Sequence, residues 1–389
     1  MQTFLNFLTE ASNKSKAISH LTHLGGEGHF MSSAEHKQDL NDMEHLHNFM
    51  SGQKSDVKSV GVKADGSPSF EMGHVINPKT GEKEFGVAYK GAARGYAFDQ
   101  EDVNQKFGHS EGLKSKMGQL LEHGRKVMSS LHGVVQGDFM GSKKDNTIGE
   151  EDGEITHKEN LIKYHYPKNL DEGKALKKAK ISIALHTRID KEQPEYNIDQ
   201  SKFYHSSDVH MFNNKLKQSG VKYKEDEQEQ FQKHFNKAKE TFSKINNLDD
   251  LVEGHTDHLQ TYINKTVREG SSPSVNNYKS HLKTKLQKEV DKVKTPAAKQ
   301  RKTDFMNNMV DDVELNKEHF THLFNGHKEL DKAKTVMLRA LEHGSQNQKQ
   351  TINGNKAKPE GFVVGYKSGS VKKVVDRTKE GFSGQNLNK

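Results

Sequence analysis

The chain opens with two stretches whose apolar residues recur at helical spacing. The first covers residues 4–8 and the second residues 40–50, with a glycine-rich break at residues 25–28. Apolar positions three and four residues apart form one face of an α-helix. The pattern therefore predicts a helical segment over residues 1–55.

The pattern changes to that of β-strands over residues 56–200. Apolar side chains alternate or run together at residues 60–62, 85–89, 134–135 and 181–185. Such short runs between glycine-rich turns predict strands, and residues 77–81 (Asn-Pro-Lys-Thr-Gly) predict a turn between two of them. Strands flanked by helices indicate the α+β class.

Residues 201–350 are polar and follow a helical pattern, with breaks at residues 270–273 and 295–296. About four helices are expected there. Strand-like residues return over 351–389, where residues 362–364 and 371–375 flank a turn and predict a hairpin. We therefore expect a strand-rich domain made of residues 56–200 and 351–389, interrupted by a helical insertion.

Composition narrows the possible functions. Hydrophobic residues make up 31% of the 389 residues, Lys and Arg outnumber Asp and Glu by 60 to 53, and there is no Cys. The excess of positive charge suits a polyanionic partner or simply a solvated basic surface. Without Cys, disulfides and thiolate metal sites are excluded. No apolar run approaches a membrane span, so we expect a cytoplasmic protein with no membrane partner.

The first chemical motif is Lys63-Ala64-Asp65-Gly66, which follows the apolar run at residues 60–62. A lysine that leaves a strand for a glycine turn suits a covalent nucleophile, although the tetrapeptide alone is a weak signal. Other elements follow it in a fixed order. They are Arg94-Gly95, the run ending in Asp138, the strand at residues 181–186, Glu360-Gly361 before an apolar run, and Lys372-Lys373.

This order of motifs resembles that of the covalent nucleotidyltransferases, the superfamily of polynucleotide ligases and mRNA capping enzymes. The resemblance implies a core of antiparallel sheets flanked by helices, with ATP and Mg²⁺ as cofactors. It also implies that Lys63 becomes lysyl-AMP, that Lys372 and Lys373 assist, and that Asp138 and Glu360 hold the metal. The residues implied to bind the nucleotide are Lys63, Asp65, Gly66, Arg94, Asp138, His186, Glu360 and Lys372.

The sequence departs from the family pattern at three positions. Asp138 replaces the usual glutamate, and Lys372 and Lys373 are adjacent, so that they point to opposite faces of a strand; we favour Lys372 as the phosphate contact. The strand at residues 181–186 contains no Phe, Tyr or Trp, so stacking on a base either comes from His186, Tyr164, Tyr166 or Phe139 or is absent.

The resemblance leaves the substrate open. The sequence ends soon after Val375, so we expect no carboxy-terminal OB-fold, and this favours an RNA ligase acting on 5′-phosphate and 3′-hydroxyl ends. The alternatives are a DNA ligase, a guanylyltransferase, or a non-catalytic nucleic-acid-binding or structural protein. The lysines at residues 279–294 either contact phosphates or belong to a solvated bundle. The opening eight residues and residues 135–139 also resemble proteins of T4-like tailed phages, which would place the protein in the host cytoplasm. We expect a monomer, although the sequence does not fix the oligomeric state.

Overall fold

The computed structural model describes residues 22–26, 30–190, 194–213, 215–224, 226–345 and 349–377. The helix predicted at residues 4–8 lies outside them. The described chain forms two compact units. The first contains residues 57–220 and 344–371, and the second contains residues 22–56, 221–343 and 372–377. The protein belongs to the α+β class, with sheets that are mostly antiparallel and many helices.

The largest sheet of the first unit contains six strands. Their order is β10-β8-β4-β2-β3, with β9 paired to β8. These strands are β2 (Ser69–Ile76), β3 (Lys83–Tyr89), β4 (Val134–Ser142), β8 (Ile181–Arg188), β9 (Glu195–Tyr196) and β10 (Val209–Met211). The pairs are antiparallel except for β10 and β8, which run parallel.

The predicted turn at residues 77–81 connects β2 to β3. The side chain of Asn77 accepts a hydrogen bond from the Lys79 amide at 3.0 Å, and Gly81 has a φ of 77°. An Asn that bonds two residues ahead, together with a glycine in the left-handed region, is a common way to close such a turn. The prediction of this turn is confirmed.

One face of the six-stranded sheet packs against two helices, α2 (Gln100–Phe107) and α3 (Glu111–Gln119). The buried core between them contains Phe70, Met72, Val87, Val103, Phe107, Met117, Val135, Phe139 and Ile183. Alternate residues of a strand face the same side, so the apolar alternation in the sequence is what places these side chains in one core.

A second sheet of the same unit has five strands in the order β12-β11-β7-β6-β5. They are β5 (Ile148–Glu151), β6 (Glu154–His157), β7 (Lys163–Pro167), β11 (Lys349–Ile352) and β12 (Asn355–Lys356), and α4 (Asp171–Lys178) follows β7. The sequence pattern did not indicate β5–β7 because these strands are short and rich in charged residues and histidine.

A separate strand pair joins the two ends of the first unit. Strand β1 (Val57–Val62) pairs antiparallel with β13 (Phe362–Tyr366), so that Val62 lies opposite Phe362. After β13, Gly369 and Ser370 close the predicted turn through hydrogen bonds with Tyr366. Strand β14 (Val371–Val374) begins at the last residue of the first unit, and its remaining residues belong to the second.

The second unit is helical. It contains α1 (Ser33–Met50), α5 (Glu227–Phe242), α6 (Leu248–Val252), α7 (Thr256–Glu269), α8 (Val275–Asp291), α9 (Pro296–Leu315) and α10 (Lys317–Gly344). The breaks predicted near Gly270 and Pro296 are confirmed. The described residues after 226 form six helices instead of about four, because α6 has only five residues and α9 and α10 meet at Asn316 with neither Gly nor Pro between them.

Helix α1 belongs with these helices and does not form a segment of its own. The ring of His47 stacks on that of Phe231 at a centroid distance of 4.4 Å, and the amide of Ser33 donates to the Asp249 carboxylate at 2.7 Å. The strands of the first unit also continue past residue 200, where the sequence pattern ended them, because β10 follows at residues 209–211. No helix in the described ranges is long and apolar enough to cross a membrane.

Candidate active site around Lys63

Lys63 is the first residue after β1, and its position is fixed by the strand pair. Its amide donates a hydrogen bond to the carbonyl of Gly361 at 2.8 Å, which continues the pairing of β1 with β13 by one residue. The Lys63 side chain is 34% exposed. The amine is therefore held on a rigid strand end and is still reachable from solvent.

The ammonium of Lys63 donates to Oε1 of Glu360 in an ion pair. Glu360 lies two residues before β13, and its side chain is 14% exposed. Pairing of β1 with β13 brings the two residues together. The structure thus brings the motif at Lys63 next to the Glu360-Gly361 motif.

Asp65 anchors the turn that follows Lys63. Its carboxylate accepts hydrogen bonds from the side chain of Asn160 at 2.7 Å and from the amides of Leu161 and Ile162 at 2.8 and 2.7 Å. Its own amide donates to the hydroxyl of Tyr164 at 2.9 Å. Asp65 is only 2% exposed. These hydrogen bonds fix the path of the chain beside Lys63.

Gly66 lies directly against β4. A Cβ atom at this position would come within 2.7 Å of the Phe139 carbonyl and 2.8 Å of the Asp138 Cβ. The next residue, Ser67, donates its amide to the same carbonyl at 2.8 Å. The turn needs glycine here because the backbones approach too closely for any side chain.

Asp138 is held near Lys63 by three strands. It lies opposite Ser69 of β2, whose hydroxyl donates to its Oδ1, and Nε2 of His186 lies 3.5 Å from its Oδ2. His186 is the extra residue of a β-bulge in β8, where Gln136 pairs with Thr187 and Gly137 with Leu185. Bulges re-aim side chains, and this one directs the imidazole toward Asp138.

The charges around Lys63 determine how it holds its proton. Burial alone would lower the pKa of Lys63, but the carboxylates of Glu360, Asp138 and Asp65 raise it above its ordinary value overall. A lysine surrounded by three carboxylates keeps its positive charge at neutral pH. As the structure stands, Lys63 is therefore a paired ammonium and not a free amine.

The two acids of the site behave differently. Burial raises the pKa of Glu360 to about 7, against the opposing effect of Lys63, and the nearby charges of Asp65 and Asp138 add to the rise. Burial would also raise the pKa of Asp138, but His186, Lys63 and Ser69 lower it overall. At neutral pH Asp138 is ionised, whereas Glu360 is close to its titration point.

Of the four residues considered as base-stacking partners, only His186 is partly exposed. Its side chain is 25% exposed, whereas Tyr164, Tyr166 and Phe139 are buried in the interior of the first unit. A planar ligand beside Asp138 could contact the His186 ring but could not reach the other three rings without a rearrangement of the core.

Arg94 is exposed on the loop that follows β3. Its Nη1 donates to the carbonyl of Lys106 at 2.9 Å and lies 2.7 Å from Nδ1 of His109. The structure thus gives the guanidinium partners near the end of α2. The role predicted for Arg94 as a phosphate contact stays a prediction.

Lys372 and Lys373 belong to the second unit. The ammonium of Lys372 donates to the hydroxyl of Thr22 at 3.0 Å and lies 3.5 Å from the buried carboxylate of Asp39. The backbone of Lys373 bonds to Thr22 and Leu24. Lys372 is only 7% exposed, and the carboxylate of Asp39 balances its charge. Contact of either lysine with phosphate stays a prediction.

Lys116 of α3 is a neighbour of the site that the sequence analysis did not identify. Its ammonium contacts the carbonyl of Ser67 at 3.3 Å and pairs with Glu159. Glu159 in turn accepts from the hydroxyl of Thr147 at 3.0 Å. No motif in the sequence distinguishes Lys116 from the other lysines, because only the fold places it beside the Lys63 turn.

The metal predicted at Asp138 and Glu360 can be tested against the donor atoms. Among the described residues, no group of three His, Cys, Asp or Glu side chains is arranged to hold a metal ion. Mg²⁺, however, is commonly bound by only one or two carboxylates together with substrate phosphates. The charges of Asp138 and Glu360 both act on Lys63, so the two carboxylates lie near the same point, and their role as metal ligands stays a prediction.

Comparison with known proteins adds a family but no activity. Neither the curated proteins nor the solved structures contain a significant match to this chain. Residues 18–389 match a family of unknown function, DUF6267, and this match includes every residue of the site described above. The chain therefore belongs to the DUF6267 family.

Proposed function

We propose that this protein is an ATP-dependent polynucleotide ligase that forms a covalent lysyl-AMP at Lys63, with RNA as the favoured substrate. The observation that supports this most directly is the ion pair of Lys63 with Glu360, formed at the end of two paired strands and close to the charge of Asp138. A ligase-type core would use this arrangement to hold the reacting amine in a fixed position.

In the first step, Lys63 gives up one proton of its ammonium to water, and the lone pair of Nζ then attacks the α-phosphorus of ATP. A phosphorus–nitrogen bond forms, the bond to the bridging oxygen breaks and releases pyrophosphate, and the nitrogen gives up its second proton to water. Glu360 accepts a hydrogen bond from this nitrogen and would hold it in position for the attack.

The charge of the site sets a condition on this step. Three carboxylates surround one lysine, so the triphosphate of ATP would be repelled, and the lysine would stay protonated, unless cations came with the nucleotide. Mg²⁺ bound by Asp138, Glu360 and the phosphates would supply that positive charge. The proposal therefore requires Mg²⁺ for formation of the adduct.

In the later steps, AMP would pass from Lys63 to the 5′-phosphate of a strand, and a 3′-hydroxyl would then displace AMP to seal the ends. His186 is the proposed contact for the base of the nucleotide, and its partial exposure beside Asp138 supports this role. Arg94, Lys372 and Lys373 remain candidates for phosphate contacts in these steps.

A second candidate is a non-catalytic protein that binds nucleic acid, and two observations favour a non-catalytic role. The pKa of Lys63 is raised, and the carboxylate of Asp65 is fully engaged with protein donors, so both residues have a structural explanation. A DNA ligase or a guanylyltransferase would use the same lysine and differ only in substrate.

The deciding experiment is incubation of purified protein with Mg²⁺ and either ATP or GTP, followed by intact mass spectrometry. Lys58 lies on the same strand and is exposed, so Lys58→Ala is the matched control for Lys63→Ala. We expect an AMP adduct in the wild type and in Lys58→Ala, no adduct in Lys63→Ala, and none after EDTA removes Mg²⁺.

Other outcomes separate the alternatives. A GMP adduct would indicate capping chemistry, and sealing of nicked DNA in preference to RNA would indicate a DNA ligase. If protein free of bound nucleotide forms no adduct with either nucleotide, the enzymatic proposal is wrong and the non-catalytic one stands.

A further inference from the structure

The first unit contains a groove, of about 340 Å³, on the side of α3 that carries Lys114, Ser115 and Gly118. Its walls are α3 with the helical turn that follows it, the first residue of α2, the turn between β4 and β5, and the residue just before β8. The lysines that line it are Lys114, Lys143, Lys144 and Lys180, and the acids are Glu111 and Glu122. None of these six residues belongs to the site around Lys63.

Hydrogen bonds tie α3, the turn between β4 and β5, and Lys180 together, so this part of the groove is preformed. The carboxylate of Asp145 accepts from the hydroxyls of Ser115 and Ser142 at 3.0 and 2.8 Å and from the amide group of Gln119 at 2.8 Å. The amide of Lys143 donates to the carbonyl of Lys180 at 3.0 Å. The turn between β4 and β5 is thereby fixed to both α3 and β8.

The charges inside this groove favour an anion. Its four lysines exceed its two glutamates, and both glutamates are exposed, with side chains 81% and 70% accessible. Within the described ranges, Lys144 and Lys180 make no ion pair, and the ammonium of Lys143 contacts the carbonyl end of α4. Lys144 can therefore neutralise the charge of a ligand, and so can Lys180, although Lys180 also acts on the carboxylate of Asp208.

We propose that this groove binds the phosphodiester backbone of a single nucleic-acid strand. Several lysines spread along an open groove suit repeated phosphates, which are bound through charge and independently of sequence. The ligand class rests on the proposed function, since a ligase must hold a strand. The location of the groove and its charge do not depend on that function.

Helix α3 connects the groove to the Lys63 site. Lys114, Ser115 and Gly118 of this helix line the groove, whereas Lys116 contacts the carbonyl of Ser67 in the turn after Lys63. A strand bound in the groove would thus lie one helix away from the candidate nucleophile. This is where a strand end awaiting transfer of AMP would be held.

The test is the salt dependence of binding, measured by fluorescence anisotropy with a labelled single-stranded RNA and with DNA of the same sequence. The variant is Lys144→Ala with Lys180→Ala. Its matched control is Lys58→Ala with Lys83→Ala, which removes two exposed lysines of the same unit. Each phosphate neutralised on a single strand adds ~0.7 to the slope of log affinity against log salt, so the groove variant should lose roughly 1.4.

Three results would overturn the proposal. The first is a salt slope in the groove variant equal to that of the wild type, and the second is a loss of slope in the control variant equal to that in the groove variant. The third is displacement of the strand by inorganic phosphate at matched ionic strength, which would make the groove a site for free phosphate. Intact mass spectrometry after incubation with ATP tests the ligase proposal independently of the groove proposal. If the wild type forms no adduct and only the groove variant loses slope, the groove proposal stands and the ligase proposal fails.

Discussion

Lys63 and Glu360 are 297 positions apart in the chain, yet the ammonium of one donates directly to the carboxylate of the other. The contact exists because β1 and β13 pair in an antiparallel register that ends with Val62 opposite Phe362. Burial acts to lower the pKa of Lys63, and Glu360 is the strongest of the carboxylates that raise it.

The first prediction concerns the proton on Lys63. Glu360→Gln keeps the shape of the side chain but removes its charge, so we expect the pKa of Lys63 to fall. Competitive acetylation across a pH series, read by peptide mass spectrometry, gives this pKa directly. The exposed Glu82→Gln is the control. An unchanged Lys63 titration in Glu360→Gln would show that Glu360 does not raise the pKa of Lys63.

The second prediction concerns the anchor of the Lys63 turn. One carboxylate oxygen of Asp65 accepts from the amides of Leu161 and Ile162, and the other accepts from Asn160. Asp65→Asn replaces one of these oxygens by an NH₂ group, which donates hydrogen bonds and cannot accept them. Hydrogen bonds to a charged group contribute about 1.5–3 kcal/mol each, so we expect the free energy of unfolding to fall by about 2–4 kcal/mol.

Urea unfolding followed by circular dichroism measures this loss, and hydrogen exchange at the amides of Leu161 and Ile162 locates it. Asp152→Asn, on an exposed turn, is the control and should change neither reading. If Asp65→Asn were as stable as the control, Asp65 would not be an anchor, and its carboxylate would be free for a ligand.

The third prediction concerns Gly66. A methyl group here would press on the Phe139 carbonyl and the Asp138 Cβ, which are both part of β4 and cannot move independently. Overpacking of this kind costs about 1–3 kcal/mol, so Gly66→Ala should lower the melting temperature and shift the resonances of Ser67 and Asp138. Gly149→Ala, whose nearest contact would be Thr156 Oγ1 at 3.7 Å, should leave both unchanged.

The sequence allowed prediction of the elements whose signal is local. Strands β1, β3, β4, β8 and β13 follow from apolar alternation, and the turn at residues 77–81 from Asn, Pro and Gly. Each of these signals lies within a few residues of the structure it forms. The α+β class followed from the same signals.

The contacts that shape the site depend on register and tertiary pairing, which no local pattern contains. His186 meets Asp138 because of a bulge in β8, and Asp65 is anchored by residues 160–162, which lie about a hundred positions away. Gly326 lies inside α10, where a Cβ atom would come within 2.7 Å of the ring of Phe242, and no local pattern contains that contact. Likewise, nothing near Lys372 in the sequence indicates its contact with Asp39.

The last prediction concerns that contact. Asp39 is 1% exposed, and burial raises its pKa to about 6, with Lys372 opposing the rise and Asp42 adding to it. The folded protein therefore binds the proton of the Asp39 carboxyl group more tightly than the unfolded chain does, because aspartates in an unfolded chain titrate near 4. The stabilisation from this proton is complete below pH 4 and is lost as the pH rises through 6.

A difference of about two pKa units corresponds to roughly 3 kcal/mol. Wild-type protein should therefore gain up to this amount relative to Asp39→Asn between pH 7 and pH 4. Urea unfolding of both proteins at several pH values gives the difference, in which the contributions of other groups cancel. The exposed Asp257→Asn should show a constant difference from wild type. A constant difference for Asp39→Asn as well would mean that Asp39 is already ionised at acidic pH, as a carboxylate held mainly by Lys372 would be.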